Sequence, residues 1–199
     1  MIDDETIKVY DAKAAEYAKM VERSTLDPAL VSFLANVRPG GRVLDLGCGV
    51  GNAASVMLDK GFQVDAVDAS ISMVQLANET HDIGAVQQQF DDLKADDLYD
   101  GIWANFSLLH ARRADFPRHL KQISKAMKAD GYFHIGMKLG DGEIRDSIGR
   151  HYAYYSEAEL RGYLFDHQFE ILETGFGNEP GLSGEDWPWI TILSRSNKA

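Results

Sequence analysis

The chain has 199 residues, enough for one domain with a sizeable core, and its 45% hydrophobic and 26% charged residues are ordinary for a globular protein. A formal net charge of −11, with Lys and Arg scattered, argues against a nucleic-acid substrate, because phosphate binding needs a basic face. The one cysteine, Cys48, excludes an internal disulfide and suits a reducing cytoplasm; no apolar run approaches membrane-spanning length, and Met1-Ile2-Asp3-Asp4-Glu5 is unlike a signal peptide.

In chain order, residues 7–21 form the first expected helix, with Tyr10, Ala14, Tyr17 and Val21 at helical spacing. A second begins at Asp27-Pro28, an N-cap acid followed by proline at the first helical position. Its apolar face is Leu30, Val31, Phe33, Leu34 and Val37, and Arg38-Pro39-Gly40-Gly41 ends it. Val43, Leu44 and Leu46 then read as a buried parallel strand that runs directly into Gly47-Cys48-Gly49-Val50-Gly51. Those glycines allow a tight turn and let a ligand approach the backbone, and helical spacing resumes at Ala53. The turn therefore meets a helix N-terminus, where free N–H groups and the dipole favour an anionic group. A second strand, 62–67, ends in Asp68, placed to accept hydrogen bonds from a ribose diol. Strand, glycine turn, helix, strand and acid make a nucleoside-binding βαβ unit.

Gly49-Val50-Gly51-Asn52-Ala53-Ala54 also fits the G-x-G-x-x-A pattern of dinucleotide binders, so the glycines alone do not choose the nucleoside. Asp45 does more. It stands two residues before the first glycine, where a carboxylate repels a pyrophosphate and attracts an ammonium or sulfonium group. The pattern Asp45-x-Gly47-x-Gly49-x-Gly51 with Asp68 after the second strand resembles the class I S-adenosylmethionine-dependent methyltransferases. The resemblance implies that Asp45 lies near the methionine amino group, that the glycines pass under the ligand and that Asp68 holds the ribose. It also implies that Tyr10-Asp11-Ala12-Lys13-Ala14-Ala15-Glu16-Tyr17 lids the cofactor, with Tyr17 facing it and Tyr10 behind. A ring face there can stabilise a sulfonium through cation–π attraction.

After Asp68, residues 69–77 form a third ligand-adjacent helix. By the same resemblance Met73 packs near the adenine, with core packing as the alternative. Residues 85–90 read as a third strand, and the resemblance implies that Asp91 takes the adenine amino group with Phe90 against the base, Asp92 competing. The fourth strand, 100–105, lies at the switch in strand order, which brings Asn105, Phe106 and His110 to the reacting centre by topology as well as by resemblance. His110 and Tyr17 are the candidate proton-handling residues, while His119 and His134 read as core or surface. A helix from Asp115-Phe116-Pro117 leads to a fifth strand, 132–138. Residues 139–155 combine long cations with aromatics, and Lys138, Arg145, Arg150 and Tyr152 would form a substrate mouth there; an ion-paired surface loop is the alternative. Lys138-Leu139-Gly140-Asp141-Gly142-Glu143 and Tyr154-Tyr155-Ser156-Glu157 resemble bacterial tellurite-resistance-like methyltransferases. Ser156-Glu157-Ala158-Glu159 is a capping box opening the last helix. Where the family usually has glycine after that helix, this chain has Gln168. Strands at 169–174 and 189–194, joined by a glycine-rich loop, have no helix between them and imply an antiparallel hairpin.

The expectation is a doubly wound α/β domain, mostly parallel with a C-terminal antiparallel hairpin and helices on both faces. The resemblance makes 1–199 one S-adenosylmethionine-binding methyltransferase domain, with 1–38 as a helical lid and 139–155 as the mouth. Its cofactor-binding set is Asp45, Gly47, Cys48, Gly49, Gly51, Asp68, Ala69, Met73, Phe90, Asp91, Asn105 and Phe106, with S-adenosylhomocysteine as product. No His, Cys and carboxylate spacing suggests a metal. The acceptor is expected to be a small molecule, with the cationic loop favouring an anion, and the protein to be a bacterial, cytoplasmic monomer or homodimer, without nucleic-acid or membrane partners. Two other functions stay open: a nicotinamide-dependent oxidoreductase, and a module that holds the cofactor without catalysis.

Overall fold

The computed structural model describes residues 3–22 and 26–198. Helix α1 (Asp4–Val21) starts at Asp3, whose carboxylate accepts the Thr6 N–H, and kinks at Lys13 (φ −116°, ψ 15°). Helix α2 (Pro28–Asn36) starts at the Asp27 cap, which accepts the Ala29 N–H. The chain then runs through β1 (Arg42–Leu46), α3 (Asn52–Asp59), β2 (Gln63–Asp68), α4 (Ile71–His81), β3 (Val86–Gln87), β4 (Tyr99–Asn105), α5 (Phe116–Ala126) and β5 (Met127–Lys138), with an α-helix between successive strands except β3 and β4. A small ribbon of β6 (Glu143–Arg145) and β7 (His151–Ala153) precedes α6 (Glu157–Asp166), and β8 (Phe169–Pro180) and β9 (Asp186–Ser196) close the fold.

Seven strands form one sheet in the order β3-β2-β1-β4-β5-β9-β8. The first five are parallel; β9 runs antiparallel to both β5 and β8. The order reverses between β1 and β4, which places the ligand crevice beyond their carboxyl ends. Alternate residues feed opposite faces. Val43 and Trp103 pack with Leu30 and Phe33 of α2 and Met57 of α3. Leu44, Leu46, Ile102 and Phe133 pack with Phe116 and Leu120 of α5 and Leu160 and Leu164 of α6. Each of these fully covered side chains contributes about 1.5–3 kcal/mol relative to exposure.

Three elements differ from expectation. The third strand is two residues long, because Phe90–Asp92 turns away as a 3-10 helix capped reciprocally by Gln89 and Asp92. The terminal hairpin is longer than its hydrophobic runs, and two of its glycines, Gly175 and Gly177, lie within β8. A Cβ on Gly177 would sit 2.1 Å from Cζ2 of Trp189, and one on Gly175 would sit 2.7 Å from Oγ1 of Thr191. These glycines make room for large cross-strand partners and do not break the ladder. Residues 139–155, expected as an open polar loop, contribute the β6–β7 ribbon and a buried aromatic block, with Tyr152, Tyr154 and Tyr155 all covered. Tyr155 packs on Phe116 and Tyr154 on Trp187. Gln168 does take the left-handed conformation that suits glycine, at φ 66°.

Candidate active site

The glycine turn is built around contacts a side chain would prevent. Gly47 has φ +83°, and a Cβ there would lie 2.3 Å from Cβ of Ser107, whose hydroxyl donates to the Leu46 carbonyl at 2.6 Å. This contact ties the end of β4 to the end of β1. Gly51 supports the turn from beneath, since a Cβ on it would lie 2.7 Å from Cδ1 of Ile83. Asp68 grips the turn from the side: its carboxylate accepts the Gly49 N–H and the Ser70 N–H, both at 2.9 Å. Burial raises its proton affinity against those backbone donors.

Asp45 is 2% exposed, and its Oδ2 has no hydrogen-bond partner among the described residues. Burial, followed by the charge of Asp68, pushes its pKa up to about 7, opposed by the backbone N–H of Ala54. A buried carboxylate oxygen with no partner is costly, and a cation at that point would relieve it.

Two cavities meet at this end of the sheet. The first, about 60 Å³, is walled by Tyr10 and Tyr17 of α1, by Asp68, Ala69 and Met73, and by Phe90, Asn105, Phe106 and His110. The second, about 1000 Å³, runs from Asp45, Cys48 and Trp103 past His134 to Glu173 and Trp189. Tyr17, Gly47, Gly49, Asn105 and Phe106 line both. Phe106 reaches this junction with φ 55°, a conformation that costs a non-glycine residue about 1–3 kcal/mol. Gly136 makes the bend possible, because a Cβ there would lie 2.4 Å from Oδ1 of Asn105.

Both candidate proton-handling residues have narrower chemistry than their positions suggested. His110 Nδ1–H donates to the His151 carbonyl at 2.7 Å, which leaves Nε2 as the lone-pair nitrogen. That nitrogen accepts the Tyr10 hydroxyl at 2.8 Å, and Arg150 Nη1 donates to the same phenol oxygen at 2.9 Å. Arg150, 2% exposed, is held in turn by Asp146 at 2.8 Å. Burial lowers the His110 pKa to about 3, so the ring is neutral and both nitrogens are engaged. Burial raises the pKa of Tyr17 above the ordinary phenol value, so it stays protonated at neutral pH.

Of the sequence-predicted set, the structure gathers Tyr17, Asp45, Gly47, Cys48, Gly49, Asp68, Ala69, Met73, Phe90, Asn105, Phe106 and His110 around these cavities. Asp91 lies elsewhere: it pairs with Arg118 and sits 3.6 Å from His119, while Gln88 lines the first cavity instead. The short β3 is the reason, since the 3-10 turn rotates Asp91 toward α5. Lys138, Arg145, Arg150 and Tyr152 line neither cavity. Arg145 is exposed and clamps Asp3 and Glu5 at the start of α1, while Lys138 lies 4.2 Å over the Tyr152 ring. Sequence reading missed Gln88, Ser107, Trp103, His134, Glu173 and Trp189 as lining residues. The available signal was strand parity: Asp45, Trp103 and His134 sit opposite one another on adjacent strands and therefore share a face. Among the described residues no group of three His, Cys, Asp or Glu is arranged to hold a metal, and no helix is long and apolar enough to cross a membrane.

A family model described as a methyltransferase domain matches residues 17–174. An uncharacterized methyltransferase of Staphylococcus carnosus is 33% identical over 132 residues, 65% of this chain and 62% of that protein's length. Among solved structures, the 1,6-didemethyltoxoflavin-N1-methyltransferase of Burkholderia thailandensis, with bound 1,6-didemethyltoxoflavin and S-adenosylhomocysteine, is similar with a TM-score of 0.75 at 20% identity, covering 98% of this chain and 90% of that one. TehB of Haemophilus influenzae is similar with a TM-score of 0.73 at 20% identity, covering 92% of this chain and 67% of that one. At that identity the two structures establish the shared fold.

Proposed function

The chain belongs to the methyltransferase-domain family, and from that premise we propose that it transfers a methyl group from S-adenosylmethionine to a small-molecule acceptor. The observation that carries this reading is Asp45: a buried carboxylate oxygen without a partner among the described residues, at the mouth of a glycine turn, suits an amino group and excludes a pyrophosphate. In this reading Asp45 takes the amino group of the cofactor, Asp68 the ribose hydroxyls, and Phe90 and Met73 the adenine. Gln88 rather than Asp91 offers the polar contact near the base. The domain is taken as 1–199, with α1 as its lid. Cys48, the one cysteine, supports a reducing compartment such as the cytoplasm.

When bound, S-adenosylmethionine supplies a methyl group on a positively charged sulfur. The residues around it contribute alignment and exclusion of water: α1 covers the first cavity, and Tyr17, Asn105 and Phe106 shape the junction through which the acceptor approaches. No acid–base pair is required of the protein, in keeping with a His110 whose nitrogens are both engaged. The cations that suggested an anionic acceptor, Arg145 and Arg150, are bound to Asp3 and Asp146 and do not support that choice.

Calorimetry with S-adenosylmethionine, S-adenosylhomocysteine and NAD tests the reading. The two sulfur nucleosides should bind, NAD should not, and Asp68→Ala should weaken binding at least tenfold. Tight binding of NAD alone would overturn the assignment in favour of an oxidoreductase. Binding of the cofactor without labelled-methyl transfer to any of a broad set of small amines, acids, thiols and oxyanions would favour a non-catalytic module.

A further inference from the structure

The second cavity has a chemistry of its own beyond the cofactor contacts. Its floor is one row of the sheet, in which Asp45 is paired with Trp103, Trp103 with His134 and His134 with Leu193. Among its described lining residues there is no Lys or Arg, whereas Glu22, Asp27, Asp45 and Glu173 all face it. Among the described lining residues, an anion entering this space would therefore meet carboxylates and no cation, with Glu22 and Glu173 at its exposed rim.

The open polar atoms point the same way. His134 is 1% exposed, lies flat on Trp103 with ring centroids 3.7 Å apart, and donates its Nε2–H to Asn105 Oδ1 at 3.1 Å. Nδ1 is therefore the lone-pair nitrogen, and it has no partner among the described residues although the ring lines the cavity. Burial lowers the ring's pKa to about 3, so it stays an acceptor across the physiological range. With Asp45 Oδ2 given to the cofactor's amino group in the reading above, His134 Nδ1 is the open acceptor on this row, and it calls for an N–H donor. Trp189 and Phe176 add ring faces suited to an apolar or cationic body.

We propose that the methyl acceptor is an amine on an aromatic or aliphatic body, seated in the second cavity with an N–H on His134 Nδ1 and its positive form drawn in by Glu173 and Asp27. This rests on the methyl-donor reading above. An amine that arrives protonated first releases that proton to solvent. Its lone pair then forms the new N–C bond, the electron pair of the broken C–S bond stays on sulfur, and the positive charge passes from sulfur to the alkylated nitrogen. His134 orients the nitrogen through the N–H it retains.

The test uses the full chain with S-adenosylhomocysteine bound, titrated with 2-phenylethylamine and tryptamine and with 3-phenylpropionate and 2-phenylethanethiol as matched probes. Labelled-methyl transfer to the same four compounds follows. The amines should bind about tenfold or more tightly than the carboxylate, a difference of roughly 1.4 kcal/mol, and should alone be methylated. Transfer should rise with pH as the amine loses its proton. Glu173→Gln, on the exposed face of β8, should narrow the preference for amine over carboxylate several-fold. His134→Phe, which keeps a ring on Trp103, should raise the amine KM without changing affinity for S-adenosylhomocysteine. Selection of the carboxylate or thiol over the amines, or failure of both amines to bind while S-adenosylhomocysteine binds, would overturn the acceptor class and leave methyl transfer standing. Failure of S-adenosylhomocysteine to bind would instead overturn the donor reading.

Discussion

Asp45 has a pH signature that separates its role from that of its neighbours. Its folded pKa of about 7 lies above the ordinary carboxylate value, so between roughly pH 4 and 7 the folded chain keeps a proton that the unfolded chain has lost. Stability of the ligand-free protein should fall as pH rises through that window and level off above it, and Asp45→Asn should flatten the slope in thermal melts. Cofactor affinity should move oppositely, because an amino group needs the ionised carboxylate. Binding of S-adenosylhomocysteine should be about tenfold tighter at pH 8 than at pH 6, and Asp45→Asn should lose that dependence. A variant that keeps the wild-type profile would assign the titration to another group. The Tyr10 hydroxyl is the second residue-scale case, since it joins Arg150 to His110 within the covered interior. Tyr10→Phe should cost about 1–3 kcal/mol by leaving both partners short of a bond. In a double-mutant cycle with His110→Gln in urea, the combined loss should fall below the sum by about 1 kcal/mol. Asp45 was legible from sequence because a charge two residues before a glycine turn has few benign uses. Tyr10 was placed behind Tyr17 because helical spacing gives a face and says nothing about which phenol finds a buried guanidinium.

At the scale of elements, periodicity identified helices and strands but misjudged where backbone bends serve a neighbour. Gly175 and Gly177 look like loop residues in sequence, yet they lie in β8 opposite Thr191 and Trp189. Gly177→Val should therefore destabilise the hairpin by about 1–3 kcal/mol through overpacking, read by chemical denaturation. Adding Trp189→Ala should recover most of that loss, whereas a turn-type glycine would gain nothing from it. The segment 139–155 was misjudged for a related reason. Its polarity suggested solvent, but the Arg150–Asp146 pair lets a guanidinium sit among Tyr10 and Tyr152. Helix α1 is fastened to this segment and to α4 by polar contacts: Arg145 with Asp3, the His151 N–H on Thr6 Oγ1, and Asp11 accepting the Ser70 hydroxyl and the Ser72 N–H. None of these pairings is written in local spacing, because the partners lie roughly 60 to 145 residues apart.

For the whole molecule, the strand order and both helix layers follow from hydrophobic patterning and from the helical connections that precede the terminal hairpin. The glycine turn and Asp68 could be read directly, because they sit on consecutive strands. The second cavity could not, since Glu173 and Trp189 arrive from the far end of the chain only once the sheet is assembled. Its five walls in common with the first cavity have a practical corollary for inhibitor chemistry. Adenosine joined by a short tether to an arylalkylamine would occupy the two chambers at once. Attachment of one fragment would raise the local concentration of the other into the millimolar range, and such a hybrid should exceed the affinity of either fragment by about 10²- to 10⁴-fold.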